Sequence, residues 1–317
     1  MPSGSLALRL LVTAGLLGAL LFAVTDPREV WAFIAGAAPI PFSAAVLLSL
    51  GDRFLMAYKW WLLLVTRDIP VSLWTAVRCY LASSLYGLVL PVTVGADAVR
   101  ILALRQFGVA EVAASIVIER GLGVIAMGSV ALFSCLLLAT AVAQFTVQSL
   151  SLWLTIAIIL SLALFVASLH LADRWANSRR SSTSHRFLKA IEAYGQYRRR
   201  PRVLTVFYTL SVGESLLSAV IAYVVAISLG VPAPLFVFIA TVPLALASAR
   251  LPISLGGFGV QEASFVFLAG LVGMPSAQAL SIMLMTDIAM LLALLPSAFD
   301  SSMLTLRREA VAQPSNR

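Results

Sequence analysis

Apolar residues gather in stretches close to the ~20 needed to cross a hydrocarbon core as helix, at about 6–24, 40–65, 112–140, 150–172, 203–229 and 277–299. These predict six spanning helices in an all-α, polytopic helical membrane protein. Two further regions are interrupted. Residues 71–90 run into Pro91 and then VTVGADAVR, and residues 235–249 run into Arg250, Pro252 and then ISLGGFGVQE. The arms of the second region, 235–249 and 260–272, are each short for a crossing. Broken backbone at membrane depth is tolerated only where protein buries it or where it lines a cavity. Both regions are therefore expected to be re-entrant hairpins with inward-facing tips.

The composition agrees with this pattern. The chain is 61% hydrophobic and 11% charged, with mean hydropathy +0.98, whereas soluble domains are about 45–50% apolar and about 25% charged. A water-soluble globule is excluded. Cys79 and Cys135 both lie inside apolar stretches, so they read as packing residues rather than disulfide partners or metal ligands. No cofactor is expected.

The net charge of +8 matters through its placement, because nine of the 22 Lys and Arg residues fall between residues 173 and 202. A nucleic-acid reader would spread such charge over a folded face, and no nucleic-acid partner is expected. The cluster instead marks a cytoplasmic loop attracted to anionic lipid headgroups. With the hairpins counted as zero crossings, Arg9, Arg67, Arg100, Arg105, Arg307, Arg308 and Arg317 share the side of that loop, and only Arg28 falls opposite. Arg53, Lys59, Arg78, Arg120 and Arg250 lie within membrane segments. This split places both termini in the cytoplasm. Parity alone does not separate hairpins from full crossings, since ten crossings also leave both termini on one side. The predicted organisation is a transmembrane half over 1–172, a basic loop over 173–202, a second repeat over 203–300 and a cytoplasmic tail over 301–317. The first 24 residues lack an A-x-A cleavage pattern and are read as an uncleaved helix.

A shift of 161 residues lays LPVTVGADAVR (Leu90 to Arg100) on LPISLGGFGVQ (Leu251 to Gln261), matching leucine, proline and glycine. With a gap, AASIVIERG (Ala113 to Gly121) resembles ALSIMLMTD (Ala279 to Asp287). The matched proline and glycine break helices, so the reading is a duplicated unit of helix, broken hairpin and helix. An odd number of spans separates the copies, which makes the repeats inverted. Inverted repeats with interrupted helices are the architecture of secondary transporters, with a substrate site near the membrane midplane.

Ionisable groups in a bilayer cost ~2.5–3.5 kcal/mol each and need a partner, a cavity or a function. The candidate substrate-binding residues are Arg53, Arg78, Asp97, Arg100, Glu119, Arg120, Glu214, Arg250, Ser254, Gly256, Gly257, Glu262 and Asp287; Asp52 is a further buried charge. Under the shift Arg53 lands on Glu214, and the gapped alignment brings Arg120 beside Asp287, so opposite charges occupy related places. Arginine grips phosphate with a permanent, forked charge. Glycine lets backbone approach a ligand closely, and a helix restarting there offers N–H groups to an anion. The four arginines thus suggest an anionic headgroup. Glu119, Glu214, Glu262 and Asp287 are open to three roles: balancing those charges, meeting a cationic part of the substrate, or carrying coupling protons.

The motif P-x-x-x-G-x-D-x-x-R (Pro91, Gly95, Asp97, Arg100) is followed by E-R-x-x-G (Glu119, Arg120, Gly123). The second half carries P-x-S-x-G-G-x-G-x-x-E (Pro252, Ser254, Gly256, Gly257, Gly259, Glu262). Together they resemble the transmembrane region of lysylphosphatidylglycerol synthases, a flippase-like family, over residues 6–300. The resemblance implies a bacterial inner-membrane protein that moves a phospholipid or polyprenyl-linked lipid between leaflets, or assists the enzyme that makes it. It implies the stand-alone form, without the soluble synthase domain, and hence no enzyme activity. A homo-oligomer is compatible with it.

Other functions fit less well. A serine protease needs a histidine partner, yet His170 sits at a span end and His185 in the basic loop. Asp97 and Asp287 lack the flanking residues of an aspartyl protease. No Walker motif is present, so movement is expected to be downhill, ion-coupled or driven by consumption of lipid on the far side. The competing account is a non-transporting scaffold whose basic loop docks a lipid- or glycan-modifying enzyme.

Overall fold

The computed structural model describes residues 3–89, 93–141, 145–178, 185–250, 254 and 256–298. Pro91 and Pro252, the expected hinges, lie outside the described residues, as do Arg179, Arg180 and the tail 301–317. Among the described residues the regular structure is helical throughout, without strands. The helices are α1 (Ser3–Ala19), α2 (Pro27–Ala35), α3 (Pro39–Val65), α4 (Leu73–Val89), α5 (Thr93–Ala103), α6 (Val109–Ala141), α7 (Phe145–Ser178), α8 (His185–Gln196), α9 (Pro201–Ser228), α10 (Leu235–Ser248), α11 (Val260–Leu271) and α12 (Ser276–Ala298).

Five of these, α3, α6, α7, α9 and α12, are 23 to 34 residues long. At ~1.5 Å per residue each reaches the ~30 Å of a hydrocarbon core. They account for five of the six expected spans. The sixth, 6–24, is α1 continued by a π-helical turn, Leu20–Val24. There the chain bends by 96° into α2. The corner is built locally: the Thr25 hydroxyl donates to the Leu20 carbonyl at 2.9 Å, Asp26 accepts the Arg28 N–H at 2.8 Å, and Pro27 opens α2.

Both interrupted regions form helical hairpins, α4 packed on α5 and α10 on α11. With 14 and 12 residues, α10 and α11 rise only ~20 Å each, short of a crossing.

The basic stretch 173–202 is not a loop through its described part. Helix α7 runs on to Ser178, α8 follows, and a 3-10 turn spans Tyr197–Arg199. Ile191 and Tyr194 of α8 and Tyr197 of the turn recur at helical spacing among charged residues, an apolar stripe that a count of basic residues conceals. Tyr197 is fully buried and donates to the Leu63 carbonyl at 2.9 Å.

The chain divides into two compact units. The first comprises Met1–Asp52, Met127–Ile158 and Val212–Ala293, and the second Arg53–Ala126, Ile159–Ser211 and Leu294–Arg317. Each therefore owns one hairpin: α10–α11 in the first, α4–α5 in the second. The first unit is cored by Phe238 stacked on Phe265 at 6.3 Å, among small residues of α9 and α12 such as Ala222, Ala226, Ala289 and Ala279. Ser134 of α6 donates to the Ile239 carbonyl of α10 at 2.6 Å. The second unit packs Trp60, Leu64, Val77 and Cys79 in one cluster and Leu63, Ile118, Leu169 and Phe207 in another. Both cysteines are buried and neither forms a disulfide. Only 6% of the apolar window of α7 is buried, against 56% for α12, so α7 turns its leucines and isoleucines outward as a lipid-facing helix does.

Candidate functional site

In the second unit, the α4–α5 hairpin and α6 assemble a polar cluster inside apolar packing. Asp97 and Arg100 are three residues apart on α5 and share one face of the helix. Arg100 donates to Asp97 at 2.6 Å and to Glu119 of α6 at 2.6 Å. Its guanidinium carbon lies 5.0 Å from the centres of both the Trp60 and Tyr80 rings. The Tyr80 hydroxyl donates to the second oxygen of Glu119 at 3.1 Å, and the Trp60 indole donates to Ser115 at 3.1 Å. Arg100 is thus held by two carboxylates through its terminal nitrogens and by two ring faces, its Nε alone lacking an acceptor, and its side chain is 3% exposed.

Arg120 differs in one decisive respect. It also reaches Asp97, at 2.9 Å and 3.3 Å, but its side chain is 42% exposed. The four charges cancel, and the only guanidinium of this cluster with open surface is that of Arg120. Arg53 and Arg78 are half-buried in the same unit, and both are engaged in further contacts.

In the first unit, the α10–α11 hairpin tip turns on three glycines with positive φ, Gly256 at 63°, Gly257 at 90° and Gly259 at 85°. A Cβ on Gly257 would sit 2.8 Å from the Ala249 Cβ, and one on Gly259 2.9 Å from the Leu16 Cβ. The tip is packed so closely that only glycine fits, which fixes the approach of α11. Glu262 in the first turn of α11 is fully buried, and its Oε2 accepts the Gly259 N–H at 2.5 Å. The anion expected at this restarting helix is therefore supplied by the chain itself. Gln261 donates to Asp287 of α12 at 3.4 Å, and the Asp287 carboxyl lies within hydrogen-bonding reach of Glu262. Ser254 is buried on the tip, Gly256 and Arg250 are exposed, and Glu214 is half-buried on α9. Arg250 and Glu214 are each engaged in further contacts.

The candidate residues thus fall into two sets. Asp97, Arg100, Glu119 and Arg120 meet in one unit; Glu262 and Asp287 meet in the other. Arg120 and Asp287, one position apart in the gapped repeat alignment, each find their polar neighbours within their own unit. The sequence reading missed Trp60 and Tyr80, whose rings look like ordinary core until the cation between them is placed. It also passed over Lys59, although a lysine in an apolar span was itself the signal. Lys59 is 4% exposed, donates to Ser211 at 2.9 Å and lies 5.1 Å from the Phe207 ring centre.

No curated protein matches this sequence. Residues 6–297 match the family model of the lysylphosphatidylglycerol synthase TM region. With nearly the whole chain covered, and with its six-span pattern and two glycine- and proline-marked hairpins realised as helices, the protein belongs to that membrane family.

Proposed function

We propose that this protein moves an anionic or zwitterionic lipid, phospholipid or polyprenyl-linked, between the leaflets of a bacterial inner membrane by alternating access, and that Arg120 grips the headgroup phosphate. The observation that carries the reading is the contrast within one cluster: Arg100 is sealed between two carboxylates, while Arg120 shares Asp97 and keeps two-fifths of its side chain open. A phosphate that displaces Asp97 from Arg120 gains a forked, charge-assisted contact. Asp97 stays satisfied by Arg100, so the exchange strands no buried charge. Family membership supports a lipid substrate, and the hairpins supply the interrupted helices that transporters use.

The test is reconstitution into liposomes with a panel of fluorescent lipids, following which headgroup becomes reducible from outside. Arg120→Ala is expected to lower the initial rate about tenfold or more, a loss of the order of one forked contact, at unchanged protein level. Arg120→Lys keeps the charge but not the fork and falls between.

The scaffold reading has one observation in its favour. Beside α8, the exposed Arg198 and Arg199 are held by Asp173 at 2.6 Å and 3.3 Å, and Arg200 and Arg202 are also exposed. This basic surface suits anionic headgroups or an acidic partner such as a lipid-synthesising enzyme. If Arg120→Ala transports normally and only deletion of residues 178–200 abolishes the phenotype, the scaffold replaces the transporter.

A further inference from the structure

Glu262 has no exposed surface, and Asp287 is 7% exposed. One oxygen of each is used locally, Oε2 by the Gly259 N–H and Oδ1 by Gln261. The others, Glu262 Oε1 and Asp287 Oδ2, have no hydrogen-bond donor, although the two carboxyl groups lie within reach of each other. The hydroxyl of Ser254, 5% exposed on the same tip, is also unpartnered. Orphaned buried oxygens are expensive, and a buried charge without a counter-charge more so.

Among the described residues, the elements around this pair supply no such counter-charge. Helix α10 has no ionisable residue from Leu235 to Ser248. Helix α1, which meets the tip at Thr13 and Leu16, carries only Arg9. Helix α9 brings Glu214, Arg250 on the tip is exposed, and α2, which meets α12 at Ser281, carries Arg28 and Glu29, both exposed. Among the described residues neither Glu262 nor Asp287 has an ion-pair partner. A proton meets the conditions of both carboxyl groups. Held between the two carboxyl groups it turns one into a donor, pairs the orphaned oxygens and leaves a single negative charge on the Gly259 N–H.

We propose that Glu262 and Asp287 share one proton, and that its binding and release are coupled to the lipid-moving cycle. The coupling rests on the transport reading above; the shared proton does not. Release sends the proton to water and leaves two carboxylates side by side, and their repulsion loosens α11 from α12 until a proton returns. A bare monovalent cation is the competing occupant.

The test uses the full chain in vesicles of phosphatidylglycerol and phosphatidylethanolamine, with two readouts. Infrared difference spectra recorded against pH are expected to show a protonated-carboxyl band that both Asp287→Asn and Glu262→Gln remove, and that added sodium leaves unchanged. Glutamine can still accept the Gly259 N–H, and Asp287→Asn leaves that bond untouched, so the two variants guard each other against loss of the fold. An imposed gradient of about one pH unit, about tenfold in proton activity, is expected to speed translocation of labelled phosphatidylglycerol in the parent protein but not in Asp287→Asn. No band common to both residues overturns the proposal, as does a band abolished by sodium at constant pH. A band lost in both variants with no labelled lipid moving upholds the shared proton and overturns its role in transport.

Discussion

Arg100 and Arg120 carry the same charge, but their surroundings give them different work. Removing Arg100 leaves Asp97 and Glu119 without their main cation inside apolar packing, and truncating one member of a buried pair costs roughly 3–5 kcal/mol. Arg100→Ala is therefore expected to lower the melting temperature and the yield of folded protein. Arg100→Lys rescues it poorly, because an ammonium cannot fork between two carboxylates while lying flat on two rings. Thermal unfolding in detergent checks both. The half-open Arg120 predicts the reverse, activity lost with stability kept. Outside the spans, burial pushes the Tyr197 hydroxyl up from its ordinary range, with the Arg67 guanidinium opposing. The neutral phenol is favoured in the fold, so its contribution is complete below the unfolded value of about 10 and is lost as pH rises beyond it. Tyr197→Phe is expected to flatten the alkaline loss of stability seen in the parent, as melting curves against pH would report.

At the scale of elements, the long spans were legible because ~20 apolar residues in a row admit few other readings. The hairpins were legible because proline and glycine interrupt what would otherwise be spans. The elements that escaped are short and amphipathic. Helix α2 has nine residues, and α8 hides its apolar stripe inside the basic stretch 173–202. The site was legible as a list of charges in the wrong solvent, not as a geometry. Nothing in the sequence says that Asp97 joins two arginines, or that Glu262 caps its own helix. Two glycines test these placements. Gly257→Ala combines a left-handed φ with a collision at Ala249, and is expected to destabilise the tip by about 1–3 kcal/mol and to stop transport. At Gly195 a Cβ would lie 2.7 Å from the Asp173 backbone nitrogen, so Gly195→Ala should lift α8 from α7 and raise hydrogen exchange over 185–200 without touching either polar cluster.

For the whole molecule, helices α3, α6, α7, α9 and α12 each contribute residues to both compact units, so the units are not successive domains that could be cut apart at a linker. The charge asymmetry predicts the topology directly. With both native cysteines replaced, Arg28→Cys is expected to react with a membrane-impermeant maleimide on intact cells and Arg200→Cys only after permeabilisation. The opposite pattern would invert the protein. The ring pair around Arg100 has a use at this scale as well. Among the described residues, Trp60 is fully buried with a guanidinium held 5.0 Å from its ring. A chain retaining only that indole would carry an intrinsic optical gauge of the cluster. Any event that shifted the cation over the ring, including a rearrangement of Asp97 when Arg120 releases it, would change the emission without a label and could be followed in real time.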